Sequence, residues 1–496
     1  MPDLTRHLRP TAPALALVLA AASWQACASS HPATSTGTSV SSGQGGSGGG
    51  GGTDVGSSST TGSAGGDAGP VADGGTGGGG VIGDPTGTTA VRAGDFLNSL
   101  GVCAHVTQGV DAPGPSATAM AFAGIHNLRD DGNPATVPAW LSMHASAGIR
   151  VCVLTNQDVA STVSMATQLN AAGALLAVEG PNEPNNFPVT YDGQTSGYTT
   201  TFLPVAKLQR DLYAAVKAAP ALSGIPVFHA SEAGGSEPDD VGLQFLTIPA
   251  DAGAAMPDGT AYADYANTHN YVCGHSDQLV DNVAWQASDP TLNADWDGPY
   301  VEYGHTWHEG FAGYSDSELV TLPKVTTETG WLTQGTGAIT EEQQGRLFMN
   351  LYLSAFKEGF AYTFIYMLRD DPVQGYWGLF DTSYAPKISG TYLHNLTTIL
   401  ADPGPGATPG KLSYSIASEP MTVHDLLLQK TDGTFALVVW DERPSGGSDA
   451  VTVGLGTSRA TVNVYDPTTG TAPAQTLHAV DTVTVTLGDH PVVVEL

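Results

Sequence analysis

Two short stretches carry carboxylates where a plain strand end would not need one. In residues 177–186 (AVEGPNEPNN) an apolar run is followed by Gly180 and then Asn182-Glu183-Pro184. In residues 324–331 (KVTTETGW) a β-branched run leads into Glu328. A carboxylate just past a buried strand is costly to desolvate unless something pairs with it or uses it. Two of them on one surface can divide a single reaction. One is protonated and donates to a leaving oxygen; the other is ionised and attacks a sugar carbon or activates water. Cleavage of a glycosidic bond is that reaction. A separation of roughly 5–5.5 Å gives direct attack and retention, whereas roughly 6.5–9.5 Å admits a water and gives inversion. Glu183 and Glu328 lie 145 residues apart in the chain (183 to 328), so a regular framework must bring them together.

That framework is legible from residue 95 onward. Short runs rich in Val, Ile, Thr or aromatics occur at 101–106, 126–130, 150–155, 175–180, 226–231, 265–271, 324–329 and 361–368. They alternate with amphipathic stretches. Leu208, Leu212, Val216 and Ala219 share one face of a helix over 205–219, and Leu347, Leu351 and Ala355 do so over 341–358. Thr340 with Gln343 forms a capping-box pattern at the start of the second. Gly124, Gly148 and Gly359 each stand where a helix should end before a strand begins. Eight such units predict an α/β fold, a (β/α)8 TIM barrel, over residues 89–404. No G-x-G-x-x-G follows the first strand, which removes the main positive sign of a dinucleotide fold. A last helix is expected at 388–400, and the Pro- and Gly-rich 401–410 breaks the pattern. From 411 the chain reads as short strands, with Asp432-Gly433 marking a hairpin inside 423–442. Residues 405–496 are therefore expected to form a C-terminal antiparallel β-sandwich. In a barrel of this kind the chemistry sits at the C-terminal ends of the strands. The fourth ends near Glu183 and the seventh near Glu328, on one rim.

This arrangement resembles clan A of the glycoside hydrolases, a group of retaining (β/α)8 enzymes with an Asn-Glu pair after strand four and a Glu after strand seven. The resemblance covers the barrel and is nearest in look to families 39, 79 and 30, and the C-terminal sandwich is similar to the one that families 30, 39, 51 and 79 attach. It implies Glu183 as acid/base, Glu328 as nucleophile and Asn182 as the partner of the sugar 2-hydroxyl. It also matches Arg129 in NLRDDG to an arginine on strand two, and His269 and Tyr271 in NTHNY to a His-x-Tyr after strand six whose tyrosine bonds the nucleophile. Where many clan members end strand eight in tryptophan, this chain has Tyr366 in FIYMLRDD, and Trp377 in GYWGLFD stands near as an alternative platform. Arg129 beside Glu328 would hold the nucleophile ionised, and the charge of Glu328 would raise the pKa of Glu183. His105 and Glu232 are weaker candidates at strand ends, and Glu179 reads as a strand residue paired inside the barrel. The insertion 272–323 carries Trp285, Trp296, Tyr300, Tyr303, Trp307, Phe311 and Tyr314. Long loops are often functional, and Trp307, with Trp331 beyond the loop, is expected to stack on sugar rings.

The ends and the charge bound the partners. Arg6 and Arg9 followed by the apolar 14–22 read as an export signal over 1–27, with Cys27 placed either for lipid attachment to an outer membrane or for removal with the signal. Residues 28–88 contain no Lys or Arg and are dominated by Gly, Ser, Thr and Ala, as in a flexible tether. A formal net charge of −31 disfavours nucleic acid and anionic lipid and leaves neutral substrates open; with the resemblance above, the expected partner is a neutral carbohydrate. Four cysteines, Cys27, Cys103, Cys152 and Cys273, give no metal-ligand spacing and no disulfide framework. No metal or organic cofactor is expected, since two carboxylates suffice for the reaction. The chain reads as a monomeric, exported or surface-bound protein: a retaining glycosidase, or a carbohydrate-binding protein of the same fold without catalysis.

Overall fold

The computed structural model describes residues 87–184, 186–196, 201–231, 260–267, 269–272, 279–289, 323–402, 404, 406 and 408–496. The export signal, Cys27, nearly all of the tether, Glu232, Cys273, Trp307 and most of the other loop aromatics lie outside these residues.

Eight parallel strands form one sheet: Leu100–Cys103, Asn127–Asp131, Arg150–Leu154, Leu175–Glu179, Val227–Phe228, Ala266–Asn267, Lys324–Thr329 and Phe360–Ile365. Each pairs with the next in sequence, and the eighth pairs with the first. A parallel bridge between Phe228 and Tyr265 joins fifth to sixth and closes the ring. The structure is thus the expected (β/α)8 barrel with a separate antiparallel unit of C-terminal strands. The helices follow the sequence pattern. Leu203–Ala218 buries Leu208, Leu212 and Val216. Glu341–Lys357 starts at Thr340, whose capping box with Gln343 is made in both directions. Gly124 and Gly148 adopt left-handed φ of 70° and 69° at helix ends, a conformation that costs other residues more than glycine.

One difference bears on the site. The sixth strand was expected over 265–271, which would place His269 and Tyr271 on it. It ends at Asn267. Around it, the Asn270 carbonyl accepts from Thr329 Oγ1 and the Asn270 side chain from Thr326 Oγ1, so side-chain bonds also tie this segment to the seventh strand.

The C-terminal strands Val423–Gln429 and Phe435–Asp441 pair around the Asp432-Gly433 turn. Pro491–Glu495 adds to the second of them, and Asp449–Tyr465 pairs with Gln475–Leu487. Side chains alternate across a strand, and here the alternation divides two cores. Leu426, Leu428, Ala436, Val438, Trp440 and Val493 pack with the barrel. Their neighbours Leu427, Leu437, Val439, Val492 and Val494 fill the interior of the sandwich. The sandwich also recruits the start of the described chain. Thr88–Thr89 pairs with Lys411–Leu412, and Val91–Arg92 runs parallel to Leu428 and Gln429. The barrel therefore begins only after these strands.

Candidate active site

The second barrel strand aims Arg129 into the barrel, where its guanidinium meets three groups. Nε and Nη2 form a fork on Glu179 at 2.8 and 2.9 Å, Nη1 reaches Glu328 Oε1 at 2.5 Å, and Nη2 also reaches Asn182 Oδ1 at 2.7 Å. All are buried or nearly so. Burial pulls the Arg129 pKa down, but the charges of Glu179 and Glu328 outweigh it and hold the net value above the usual arginine range. The second oxygen of Glu328 accepts from Tyr271 at 2.6 Å. Burial, reinforced by the Glu328 charge, raises the Tyr271 pKa well above the ordinary tyrosine value, which keeps it a donor.

Glu183 is reached by a tight passage. A Cβ at Gly180 would collide with Gln209 Oε1 and stand 2.7 Å from the Ala230 amide nitrogen, so only glycine fits between the fourth strand and its neighbours. Glu183 then adopts φ of 37°, unusual for a residue with a side chain. Backbone strain of this kind clusters at functional sites. Its Oε1 lies 2.6 Å from His269 Nδ1 and its Oε2 accepts from Asn186 at 3.1 Å.

The protonation of His269 follows from its other nitrogen. Nε2 lies 3.1 Å from Thr327 Oγ1. That hydroxyl donates its proton to Glu179 at 2.9 Å and accepts from Asn267 Nδ2 at 2.9 Å. A remaining lone pair faces Nε2, which therefore carries hydrogen. One proton then lies between Nδ1 and Glu183 Oε1, on one atom or the other.

This corrects an expectation. Glu183 was expected to have a raised pKa because of Glu328. Burial does push it up, but the hydrogen bond and charge of His269, with Asn186 and Arg129, bring the net value below the usual carboxylate range.

A carboxylate oxygen of Glu183, one of Glu328 and a ring nitrogen of His269 lie within 4.8 Å of one another. Three such atoms could surround an ion. Here each carboxylate oxygen already has a protein partner, and the group is accounted for as a convergent pair of acids.

An aromatic wall stands beside Glu328. Tyr271, Tyr366 and Trp377 meet edge to face, with centroids 5.5–6.2 Å apart. His105 approaches Tyr366 at 5.5 Å. Tyr366 donates to Gln374 at 2.6 Å, Gln374 to Gln108 at 2.9 Å, and Gln108 to Asp131 at 2.9 Å. This amide chain runs along the rim from the loop after strand eight to the end of strand two.

The structure thus gathers Glu183, Glu328, Asn182, Arg129, His269, Tyr271, Tyr366 and Trp377. It does not bring Trp331 to them. That side chain is 1% exposed and donates to the Gly337 carbonyl at 2.7 Å, so it is a core residue with no face for a sugar. Trp285, counted among the loop aromatics, stacks on His424 of the sandwich at 4.0 Å. Sequence reasoning did not single out Thr327 and Asn267, which complete the buried network. Their signal was present: Thr327 directly precedes Glu328, and Asn267 stands two residues before His269. Cys103 and Cys152 are free buried thiols, as expected.

No protein-family model and no curated protein matches the sequence. Solved structures do. The bifunctional glucanase-xylanase CelM2 from a metagenome library superposes with a TM-score of 0.51 at 11% identity, over 83% of this chain and 99% of that one. A glucosidase from Croceicoccus marinus matches with a TM-score of 0.49 at 11% identity, over 83% and 96%. The catalytic domain of GH30 xylanase C from Talaromyces cellulolyticus matches with a TM-score of 0.47 at 14% identity, over 83% and 97%. At such identities the likeness to CelM2 is one of fold, a barrel with its sandwich.

Proposed function

We propose that this chain is a retaining β-glycosidase acting on a neutral oligo- or polysaccharide. One observation carries the reading: Glu183 and Glu328, from opposite parts of the chain, bring carboxylate oxygens within 4.8 Å of each other at the C-terminal rim of the barrel. That is the short separation that favours direct attack over an intervening water. Glu328, ionised against Arg129 and oriented by Tyr271, attacks the anomeric carbon. Glu183 passes the proton it shares with His269 to the departing oxygen. In the second step Glu183 takes a proton from water, which displaces Glu328 from the sugar. Asn182, fixed by Arg129, faces the same space and can accept from or donate to a sugar hydroxyl.

The charges around the two acids support a neutral substrate. Arg129 is fully engaged by Glu179, Glu328 and Asn182, and residues 232–259 and 290–322, after the fifth and sixth strands, contain no Lys or Arg. Each nitrogen of the guanidinium beside the two acids is thus already engaged, which favours a neutral sugar over a uronate.

The test is a screen of aryl β-glycosides and neutral polysaccharides with the full chain, beside Glu183→Gln and Glu328→Gln. Turnover is expected to fall by roughly 100- to 10,000-fold in each variant, and proton NMR of the first-formed product is expected to show the β-anomer. Glycan binding with no turnover, unaffected by either substitution, would replace the enzyme with a carbohydrate-binding protein. An α-anomer as first product would replace retention with inversion.

A further inference from the structure

The segment that carries His269 and Tyr271 follows the paired run Ala266–Asn267 and is tied by a side chain to an element outside the barrel sheet. Asn270, between them, is fully buried. Its Nδ2 donates to the Ala287 carbonyl at 2.9 Å, in the last turn of the short helix Val283–Ser288. The start of that helix is held from the other domain. Glu442, at the end of the sandwich strand Phe435–Asp441, is buried, and its Oε2 accepts from the amides of Ala284 and Trp285 at 2.9 and 3.0 Å. These are two of the amide donors that a helix leaves unpaired at its start. The Asn282 amide donates to the Glu442 carbonyl at 3.1 Å. The Asn282 side chain, which would ordinarily cap the helix, instead donates to the Met421 carbonyl and meets His424 Nε2. Glu442 Oε1 accepts from Ser354 on the barrel helix at 2.7 Å and from Trp440 at 3.3 Å. Trp285 lies flat on His424, with 9° between the ring planes.

We propose that Glu442, in the C-terminal sandwich, is a positioning residue of the active site: it grips one end of Val283–Ser288, and the other end of that helix, through Asn270, sets His269 and Tyr271 against Glu183 and Glu328. The proposal rests on the glycosidase reading for its effect on rate, but not for its effect on geometry. A buried carboxylate with four donors is an inflexible anchor. Misplacement of a catalytic group by an ångström costs far more in rate than in binding.

The test uses full-length protein with 15N-labelled histidine, its His269 ring signals assigned by their loss in His269→Gln. Glu442→Gln replaces one acceptor oxygen by an NH2 that faces donors, and it is expected to shift or broaden the His269 ring signals. In the glycosidase assay it is expected to lower kcat by roughly 10- to 100-fold, with a smaller change in KM. Glu442→Asp keeps the charge but withdraws it by one methylene. It is expected to shift the same signals less, and it covers the case in which the glutamine variant does not fold. Asn395→Ala is the control. Asn395 joins the barrel to the sandwich through a 2.8 Å bond to the Pro467 carbonyl, away from the short helix, and its loss is expected to leave the His269 signals in place. Unchanged His269 signals in both Glu442 variants would overturn the proposal, as would an equal shift in Asn395→Ala. The NMR readout does not depend on turnover, so a chain with no glycosidase activity would leave this result standing and remove only the kinetic part.

Discussion

At the residue scale the active centre is a single proton held among buried charges. Two predictions follow from its bonds. The first concerns His269. Its bond and charge are what bring the pKa of Glu183 below the ordinary value against the opposing effect of burial. His269→Asn removes them and leaves burial, so the Glu183 pKa rises. Glu183 must hold its proton to act as the acid, and the basic limb of kcat/KM against pH is therefore expected to move to higher pH. The same depressed pKa makes wild-type Glu183 a stabilising group above its unfolded pKa, a contribution lost as the pH falls through the folded value. A basic limb that stays in place or moves down would remove His269 from this role. The second concerns Arg129. Arg129→Gln leaves Glu179 and Glu328 buried without their cation, and breaking a buried pair costs about 3–5 kcal/mol. Urea unfolding at pH 7 measures it; a loss under about 1 kcal/mol, the range of an exposed pair, would mean that the network is solvated.

At the element scale the barrel was largely legible before the structure. The eight strand runs, the Thr340–Gln343 capping box and the helix-ending glycines each express a local rule that the fold obeys. So does Gly180, whose tight passage predicts that Gly180→Ala destabilises the chain by about 1–3 kcal/mol through overpacking, and also lowers kcat by displacing Glu183. Thermal unfolding and kinetics on one preparation check both; a variant that matches wild type in each would show that the passage is wider than described. What could not be read were facts of three-dimensional neighbourhood. Trp331 follows Glu328 by three residues and reads as a rim aromatic, yet the chain turns at Gly330 and sends the indole into the core. Nothing local reveals that Thr326 and Thr329 bond Asn270, between His269 and Tyr271, from the next strand. The sign of the Glu183 shift was misread for the same reason. The sequence shows a second acid but not the imidazole 2.6 Å away.

At the scale of the whole molecule, sandwich and barrel share more than a boundary. Alternate residues of the same strands belong to two cores, and the sandwich supplies Glu442 to the helix behind the catalytic segment. The strand Val91–Arg92 gives this union an order in time. It precedes every strand of the barrel in sequence, but its partner is Leu428–Gln429, more than three hundred residues later. A growing or refolding chain can therefore close its barrel while Val91–Arg92 still waits for the last domain, and contacts between such distant residues form slowly. Pulse-labelled hydrogen exchange during refolding is expected to protect the amides of the first four barrel strands before that of Val91; simultaneous protection would mean that the two units fold as one. Until that late pairing, the molecule has an unfinished sheet edge, the kind of surface on which chains join to the wrong neighbour. Its vulnerability to aggregation is then set by how long Val91–Arg92 must wait for the sandwich strand it joins.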